Sequence, residues 1–370
     1  MKKKILFLIP ELSIGGGEKT AVMNANDMSS AGYDVTLLVP RGHVIKQNVS
    51  PSVDLVAGRC SGLFQEMSFC WRSISIIKPD VIISYMERAN FINLVLSRFG
   101  HWKVIASIHT VPSVAYKKRS LVNRFFIRLS MLLIKKTKSA VFCVSAGVGK
   151  ELRDLYGIHN TSIIENYFSI PEYSDLCPEV ENSNVLFCFV GRLVKIKGCE
   201  LLLKAIALSK EKNLLDGKLF WIVGDGPERK HLEATSQALG IDEYVNFLGA
   251  RDDVSHLLNA ADCLIVPSYV EGFGLVIIEA LYSGCDVFFS KCKYGPSEIM
   301  SAFTSLHDIY DFEDPSFDED IAILELSNHI DNFNNKKNLS KLKFLRDVIS
   351  QKYSKESSIG KIIDLVEMEK

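Results

Sequence analysis

Two glutamates eight positions apart mark the part of the chain whose residue types and spacing best suit ligand binding. Glu271 precedes the loop Gly272-Phe273-Gly274, and Glu279 follows in an apolar run that begins at Leu275. We predict a helix from Leu275, whose positive N-terminal end favours an anion. If the whole segment were helical, the acids would be separated by roughly 12 Å, about the scale of a sugar and a ribose flanking a diphosphate. The alternative for Glu279 is a paired interior acid, because a carboxylate on an apolar helix needs a partner.

Two cations follow an earlier predicted strand. Arg192 follows the apolar run Val185 to Val190 after Gly191, and Lys197 lies in the same loop before the next helix. Open parallel sheets place their ligands at the C-terminal ends of the strands. Two cations converging there suit a diphosphate, which needs both charge neutralisation and hydrogen bonds. The alternative is a pair of solvated loop cations.

A glycine triplet, Gly15-Gly16-Gly17, follows the first predicted strand and is followed by Glu18. Glycines let the backbone approach a ligand, and the next helix directs its positive end at an anion. A Walker loop is excluded because Glu18 stands between the last glycine and Lys19. The dinucleotide-binding glycine pattern is broken as well, so the triplet alone indicates either a tight turn or a ligand loop.

These residues need elements to position them, and the chain contains two successive series of strands and helices. The first series runs from Ile5 to Val144, and the second starts at Val185. Between them, Ser169 to Ser183 contains two prolines, four acids and little apolar periodicity, which predicts a linker. We therefore expect an α/β fold with two Rossmann-like domains facing a cleft. The predicted boundaries are residues 1–167 for the N-terminal domain, 168–183 for the linker, 184–350 for the C-terminal domain and 351–370 for a C-terminal helix.

Charge is distributed unevenly between the two halves. The residues up to Tyr167 include 22 Lys and Arg against 11 Asp and Glu, and the remainder includes 21 against 33, for a net charge of −1. Opposite charge on the two halves indicates domains with different partners.

Cysteine usage and the N-terminus both indicate a cytoplasmic protein. The nine cysteines include no C-x-x-C pair and are interpreted as buried reduced thiols. The apolar run after Lys2, Lys3 and Lys4 is too short for a signal peptide, and no apolar stretch is long enough to span a membrane. We expect a protein in the cytoplasm or peripheral on the inner face of the cell membrane.

The combined motifs resemble those of the retaining GT-B glycosyltransferases, and family 4 in particular. The E-x7-E spacing carries the resemblance, together with the glycine triplet, the loop containing Arg192 and Lys197, Val223 to Glu228, and Ser297-Glu298. It covers most of the chain and is strongest from Val185 to Met300. It implies the GT-B fold, with the C-terminal helix packing back on the N-terminal domain.

The resemblance also implies a role for each site residue. Arg192 and Lys197 would hold the diphosphate of a nucleotide-sugar donor, and Glu279 would bond the ribose. Glu271 would contact the donor sugar, and His109 would line the reaction centre. The remaining donor-binding residues contribute loop amides, and they are Gly16, Gly17, Gly272, Phe273, Gly274 and Leu275.

The chemistry implied is substitution at the anomeric carbon with retention, without cofactor or metal. Cations and helix N-termini would stabilise the departing diphosphate. The acidic string Asp318-Glu319-Asp320 is interpreted as a solvated loop rather than a metal site. The sequence departs from the family at Asp286 and Tyr167, where proline is usual, and in the tract after Met300.

The N-terminal half is expected to hold a glycan acceptor, linked to a lipid diphosphate as in O-antigen or capsule synthesis. Its basic residues cluster on a predicted amphipathic helix between Arg119 and Lys138, which indicates contact with an anionic membrane. A core-packing helix with solvated ends is the alternative. Nucleic acid is not an expected partner.

Two other functions remain open at this stage. A sugar-nucleotide epimerase can share the architecture, but it would change the donor without an acceptor. A non-catalytic nucleotide-sugar-binding protein would have no reason to keep Glu271, Arg192, Lys197 and His109 together. The donor sugar, its base, the linkage and the oligomeric state are not specified by these residues.

Overall fold

The computed structural model describes residues 2–13, 15–42, 48–113, 121–137, 139–168, 185–303, 310–334 and 339–368. The chain divides into two compact units. The first comprises Met1–Tyr167 together with Lys355–Lys370, and the second comprises Phe168–Ser354. Most of the predicted linker lies outside the described residues.

The first unit is built on a parallel sheet of seven strands in the order β3-β2-β1-β4-β5-β6-β7. The strands are β1 Lys4–Leu8, β2 Asp34–Val39, β3 Asp54–Ala57, β4 Val81–Tyr85, β5 Lys103–Ile108, β6 Ala140–Cys143 and β7 Thr161–Ile163. The helices between them are α1 Gly16–Ser30, α2 Leu63–Ile77, α3 Met86–Leu96, α4 Leu121–Thr137 and α5 Ala146–Tyr156. Strands β2 and β3 are added on one side of β1 and strands β4 to β7 on the other. The gap between β1 and β4 is therefore the switch point, where sheets of this kind bind ligands.

The second unit repeats the design with six strands in the order β10-β9-β8-β11-β12-β13 and its switch point between β8 and β11. Its strands are β8 Val185–Val190, β9 Lys218–Val223, β10 Val245–Gly249, β11 Cys263–Val266, β12 Asp286–Ser290 and β13 Tyr310–Phe312. Its helices are α6 Cys199–Glu211, α7 Arg229–Ala238, α8 Val254–Ala260, α9 Leu275–Tyr282, α10 Pro296–Ser301, α11 Glu319–Asn332 and α12 Leu339–Lys352.

The predicted α/β fold with two Rossmann-like units is confirmed. The apolar runs form central strands because both faces of each sheet are covered by helices: Leu6, Phe7 and Leu8 are fully buried, as are Phe187 and Ile222. The strands that the sequence did not predict are β3, β7 and β13. Each has only three or four residues and lies at a sheet edge, where a short, partly exposed strand has no long apolar run.

The C-terminal helix α13, Lys355–Glu367, belongs to the first unit, as expected. Lys355 forms an ion pair with Asp27, and Ser358 donates to the carbonyl of Glu165 at 2.9 Å. The sequence predicted a C-terminal helix over residues 351–370, whereas the chain breaks at residues 353–354, between α12 and α13. At the break, buried Tyr353 accepts a backbone hydrogen bond from Phe168.

The interpretation of Asp318-Glu319-Asp320 as a solvated loop is wrong. Asp318 caps α11, because its carboxylate accepts from the amide of Ile321 at 3.0 Å. Glu319 accepts from the hydroxyl of Tyr269 at 2.7 Å. Acidic residues are favoured in the first turn by the helix dipole, so the acidic run is a helix start.

Candidate active site

The loops that follow β8, β9, β11 and β12 are pressed together by glycines. Gly198 has a φ of 70°, and a Cβ there would overlap the carbonyl oxygen of Pro267, which follows β11. A Cβ on Gly224 would overlap the carbonyl of Gly191. A Cβ on Gly295 would overlap the carbonyl of Phe273 in the same way. The C-terminal edge of this sheet is therefore a compact set of loops around the switch point.

Lys197 and Glu271 meet at this edge. The Lys197 ammonium lies 2.5 Å from Glu271 Oε1, and the Ser268 hydroxyl donates to the same oxygen at 2.9 Å. The Glu271 side chain is only 11% exposed and that of Lys197 27%. The structure thus brings together two residues predicted from separate motifs. Ser268 was missed, although a hydroxyl residue two positions after a strand and three before Glu271 was a usable signal.

Arg192 lies in the same loop as Lys197 and its side chain is exposed at the strand end. Lys197 ends a 3₁₀ turn, Lys195–Lys197, which Gly198 terminates against Pro267. Both cations therefore follow β8 at the switch point, where a diphosphate could be neutralised.

The glycine loop after Glu271 leads into α9, as predicted. Gly274 caps this helix with a φ of 100°, and Gly272 and Leu275 are partly exposed. Phe273 is buried, and its ring packs edge-on against Tyr353 at a centroid distance of 5.9 Å. Its side chain therefore anchors the loop, and a ligand would meet backbone amides instead.

Glu279 lies on α9. Its sequence position between Ile278 and Ala280 suggested a fully buried side chain, but the structure does not show one. Its side chain is half-buried while both of those neighbours are buried. The segment from Glu271 to Glu279 is not one helix, because the turn at Gly274 precedes α9. The all-helical separation estimated from the sequence therefore does not apply.

In the first unit the glycine triplet forms the start of α1. The buried Glu18 carboxylate accepts a hydrogen bond from the Ser13 hydroxyl at 2.9 Å, which ties α1 to the residues that precede the triplet. A Cβ on Gly16 would have nothing within 4 Å, and one on Gly17 would lie 3.2 Å from the methyl group of Met86. The α1 N-terminus is thus open beside Gly16, which leaves room for a ligand.

His109 lies after β5 in an aromatic and hydrogen-bonded setting. Its ring stacks on Tyr85 at 5.1 Å between centroids, and Nε2 is 3.1 Å from the Ser107 hydroxyl. That hydroxyl donates its only proton to the Ser84 carbonyl at 2.9 Å, so it must accept from His109 Nε2–H. The tautomer leaves Nδ1 with a lone pair. Burial lowers the pKa of His109 to about 4, so the ring is neutral at pH 7.

This shift predicts how stability depends on pH. The unfolded chain protonates this histidine near pH 6.5, but the folded chain does so only near pH 4, so stability falls as the pH drops through that window. Between pH 7.5 and pH 5 we expect wild type to lose about 2 kcal/mol more than His109→Gln. Urea unfolding at both pH values measures this. Equal losses in the two proteins would contradict a depressed pKa.

The residues beneath His109 form a buried polar network that the sequence did not reveal. Ser84 donates to Asn90 at 2.7 Å, and Asn90 donates to the Ser107 carbonyl at 2.8 Å. Asn93 joins the network through Ser84 and accepts from Trp102 at 2.9 Å. The network fixes Ser107 and thereby orients the histidine ring.

Two other features lie outside this edge. A cavity of about 600 Å³ in the first unit is lined by Lys3, Val81 and Lys103, which stand at the N-terminal ends of strands and so opposite the site. Across the described ranges there is no group of three or more potential metal ligands, and no helix long and apolar enough to cross a membrane.

Comparisons with known proteins found two family models that match successive parts of the chain. The family model described as "Glycosyltransferase Family 4" matches residues 14–168, and "Glycosyl transferases group 1" matches residues 178–311. A relative from Campylobacter jejuni is 29% identical over 89% of this chain and 90% of its own, and is named GalNAc-alpha-(1->4)-GalNAc-alpha-(1->3)-diNAcBac-PP-undecaprenol alpha-1,4-N-acetyl-D-galactosaminyltransferase. The lipopolysaccharide glucosyltransferase WaaG of Escherichia coli is 38% identical over 31% of this chain and 30% of its own.

Solved structures share the fold over nearly the whole chain. Anabaena HepE, in complex with UDP and glucose, has a TM-score of 0.73 and 18% identity, with 98% of each chain covered. A structure of WaaG, described as a glycosyltransferase of lipopolysaccharide biosynthesis, has a TM-score of 0.74 and 16% identity over 99% of this chain and 100% of that one. Two family models in order along the chain and a shared two-unit fold lead to one conclusion. The chain is a GT-B glycosyltransferase that resembles family 4.

Proposed function

We propose that this glycosyltransferase moves a hexose or N-acetylhexosamine from a nucleotide sugar, most simply a UDP-sugar, to a glycan acceptor with retention of configuration. The observation that carries the proposal is the Lys197–Glu271 pair, with Arg192 in the same loop, at the switch point of the second unit. The complexes of HepE with UDP and with UDP-glucose support the choice of donor.

The reaction breaks the bond between the anomeric carbon and the diphosphate oxygen and forms one to the acceptor oxygen. The acceptor proton leaves with the diphosphate. Negative charge builds on the diphosphate oxygen as its bond to the anomeric carbon breaks and before it takes the proton, and Arg192, Lys197 and the α9 amides would stabilise it. Glu271 would hold the sugar hydroxyls and Glu279 the ribose. Neutral His109 would accept a hydrogen bond from the donor sugar at Nδ1, since its Nε2–H is committed to Ser107.

We further propose that the acceptor is a lipid-diphosphate-linked glycan used in surface polysaccharide synthesis at the cytoplasmic face of the membrane. The support comes from relatives: the C. jejuni enzyme's name specifies an undecaprenol diphosphate glycan, and two Rhizobium meliloti relatives are named for lipopolysaccharide core biosynthesis.

A donor screen tests the proposal. UDP- and GDP-sugars are first ranked by protection against thermal unfolding, and the best donor is then incubated with acceptor fractions. Transfer should appear only with acceptor, and NMR should show the donor's anomeric configuration in the product. Conversion of the donor sugar alone would indicate an epimerase, and binding without any turnover would indicate a non-catalytic protein.

Activity is expected to persist in excess EDTA, because Arg192, Lys197 and helix amides would neutralise the diphosphate. Initial rates with and without EDTA, after dialysis against chelator, measure this. A loss that magnesium or manganese restores would contradict the proposal.

The membrane contact is proposed at α4. Of the predicted basic cluster, Lys117, Lys118, Arg119 and Lys138 lie outside the described residues. In the described part, Ile127, Met131 and Ile134 are buried, whereas Phe125 and Leu132 are 61% and 64% exposed beside Arg128 and Lys135. One face thus packs inward and the other presents alternating apolar and basic side chains, as an interfacial helix does.

We expect the protein to co-sediment with vesicles containing anionic lipid and to be released by salt. Phe125→Ser with Leu132→Ser should reduce the bound fraction at least about fivefold, since it removes the apolar part of the contact. Phe317→Ser, at an 86% exposed site in the second unit, is the control. Undiminished binding of the double variant would return α4 to a core-packing role.

A further inference from the structure

The first unit holds two arginines around one buried carboxylate at the edge where its ligands should bind. Arg41 Nε lies 2.5 Å from Glu66 Oε1, and Arg88 Nε lies 2.5 Å from Glu66 Oε2. Glu66 is fully buried, whereas each arginine side chain is 31% exposed. Arg41 follows β2, Glu66 lies in the first turn of α2 after β3, and Arg88 lies in the first turn of α3 after β4. All three thus come from the C-terminal edge of the sheet.

The charge of this cluster is not balanced. One carboxylate faces two guanidinium groups, and each group uses one of its five N–H donors on Glu66. Within the described ranges neither arginine has another acidic partner, so the cluster carries a net positive charge with donors reaching solvent. A buried ion pair of this kind is weak evidence for stability, because desolvation offsets the attraction. Holding two guanidinium forks at a fixed spacing is a more specific use of Glu66.

The cluster is connected through the start of α3 to the residues around His109, which is proposed to line the reaction centre. Tyr85, on which His109 stacks, is three residues before Arg88. Between them, Met86 reaches Gly17, and Glu87 accepts from Thr110, the neighbour of His109, at 2.9 Å. An anion on the arginines would therefore lie at the same edge of the sheet as His109.

We propose that Arg41 and Arg88, positioned by Glu66, bind a phosphate or diphosphate group of the acceptor. This rests on the proposed function and specifies its acceptor as anionic near the hydroxyl that is glycosylated. Arginine forks match the oxygens of phosphate in bidentate geometry, and charge-assisted bonds of this kind are strong. The group could belong to a lipid diphosphate or to a phosphorylated sugar, which share this chemistry.

The test measures thermal unfolding with saturating UDP, so that the donor site is filled, and then adds sodium pyrophosphate. Pyrophosphate should raise the midpoint further in wild type by mass action. Orthophosphate and glucuronate are the other probes. A shift of the midpoint with pyrophosphate but not with orthophosphate favours a diphosphate-linked acceptor. An equal shift with orthophosphate favours a phosphorylated sugar. No added shift with any phosphate, or a shift with glucuronate as large as theirs, would overturn the proposal.

The variants separate binding from folding. Glu66→Gln with Arg88→Gln removes one cation together with the shared carboxylate, so no buried carboxylate is left behind, and Arg41, whose side chain is 31% exposed, keeps an amide oxygen as its acceptor. The double variant should abolish the pyrophosphate shift while UDP still protects. Arg88→Lys keeps the ion pair with Glu66 but loses the planar guanidinium, and it should reduce the pyrophosphate shift. It therefore tests the proposal even if the double variant does not fold. Arg98→Gln, at the opposite end of α3, is the matched control and should keep both shifts.

A kinetic arm uses the natural acceptor once it is known. The KM for that acceptor should rise at least about tenfold in Arg88→Lys, while the KM for the nucleotide sugar stays within about twofold. Equal changes in both KM values would overturn the proposal. If UDP failed to protect wild type, that result would count against the proposed donor and not against this proposal. The midpoint shifts that pyrophosphate causes in wild type and in the double variant could still be compared.

Discussion

Replacing Lys197 with methionine is expected to lower kcat at least about 100-fold, which corresponds to about 2.7 kcal/mol of transition-state stabilisation. Methionine keeps the length of the side chain but removes the charge that faces the departing diphosphate. It also leaves Glu271 with Ser268 as its hydrogen-bond donor, so the carboxylate loses its charged partner. Steady-state kinetics with the best nucleotide sugar, and urea unfolding of the same samples, measure both effects.

The matched control for this prediction is Lys204→Met. Lys204 also pairs with a glutamate, Glu319, at 2.9 Å, and lies in the second unit, but within α6 rather than in the loop that follows β8. It should retain turnover within about twofold, as exposed ion pairs contribute little. If Lys197→Met kept wild-type turnover, or if both variants lost it equally, the donor diphosphate would have to bind elsewhere.

The fold was predictable because each buried parallel strand is a continuous apolar run, which can be recognised locally in the sequence. Strand β8, Val185–Val190, has the predicted limits, and helix α9 begins at the predicted Leu275. The failures occur where the determining contact is distant in sequence. The break before α13 depends on Phe168 bonding to Tyr353, and the three edge strands depend on pairing with neighbours rather than on their own residues.

The candidate site was predictable in its residues but not in its pairing. Glycine, cation and glutamate motifs are local, so each could be found separately. That Lys197 contacts Glu271 follows from the adjacency of β8 and β11, which the sequence does not state. The tautomer of His109 and the Arg41–Glu66–Arg88 cluster were equally hidden, because each joins side chains from separate β-α loops.

The second large effect is expected from Gly198→Ala. Alanine would be strained at a φ of 70°, which costs about 1–2 kcal/mol, and its Cβ would overlap the Pro267 carbonyl, so backbone must move. We expect a loss of at least about 3 kcal/mol in the free energy of unfolding. Because Lys197 directly precedes Gly198, the shift should also separate its ammonium from Glu271 and lower kcat at least about tenfold. Urea unfolding and steady-state kinetics measure the two effects.

Gly240→Ala separates backbone strain from loss of the close approach. Gly240 has a similar φ of 64° after α7, but a Cβ there would meet only the ammonium of Lys210 at 3.3 Å, the far end of a flexible side chain. This variant should stay within about 1 kcal/mol of wild type, because αL strain is partly offset by a less flexible unfolded chain, and it should keep full turnover. The difference between the two variants then measures the contact between Gly198 and Pro267. If Gly198→Ala were no worse than Gly240→Ala, the loop that carries Lys197 would not depend on that contact, and Lys197 would have to be positioned by its pairing with Glu271 instead.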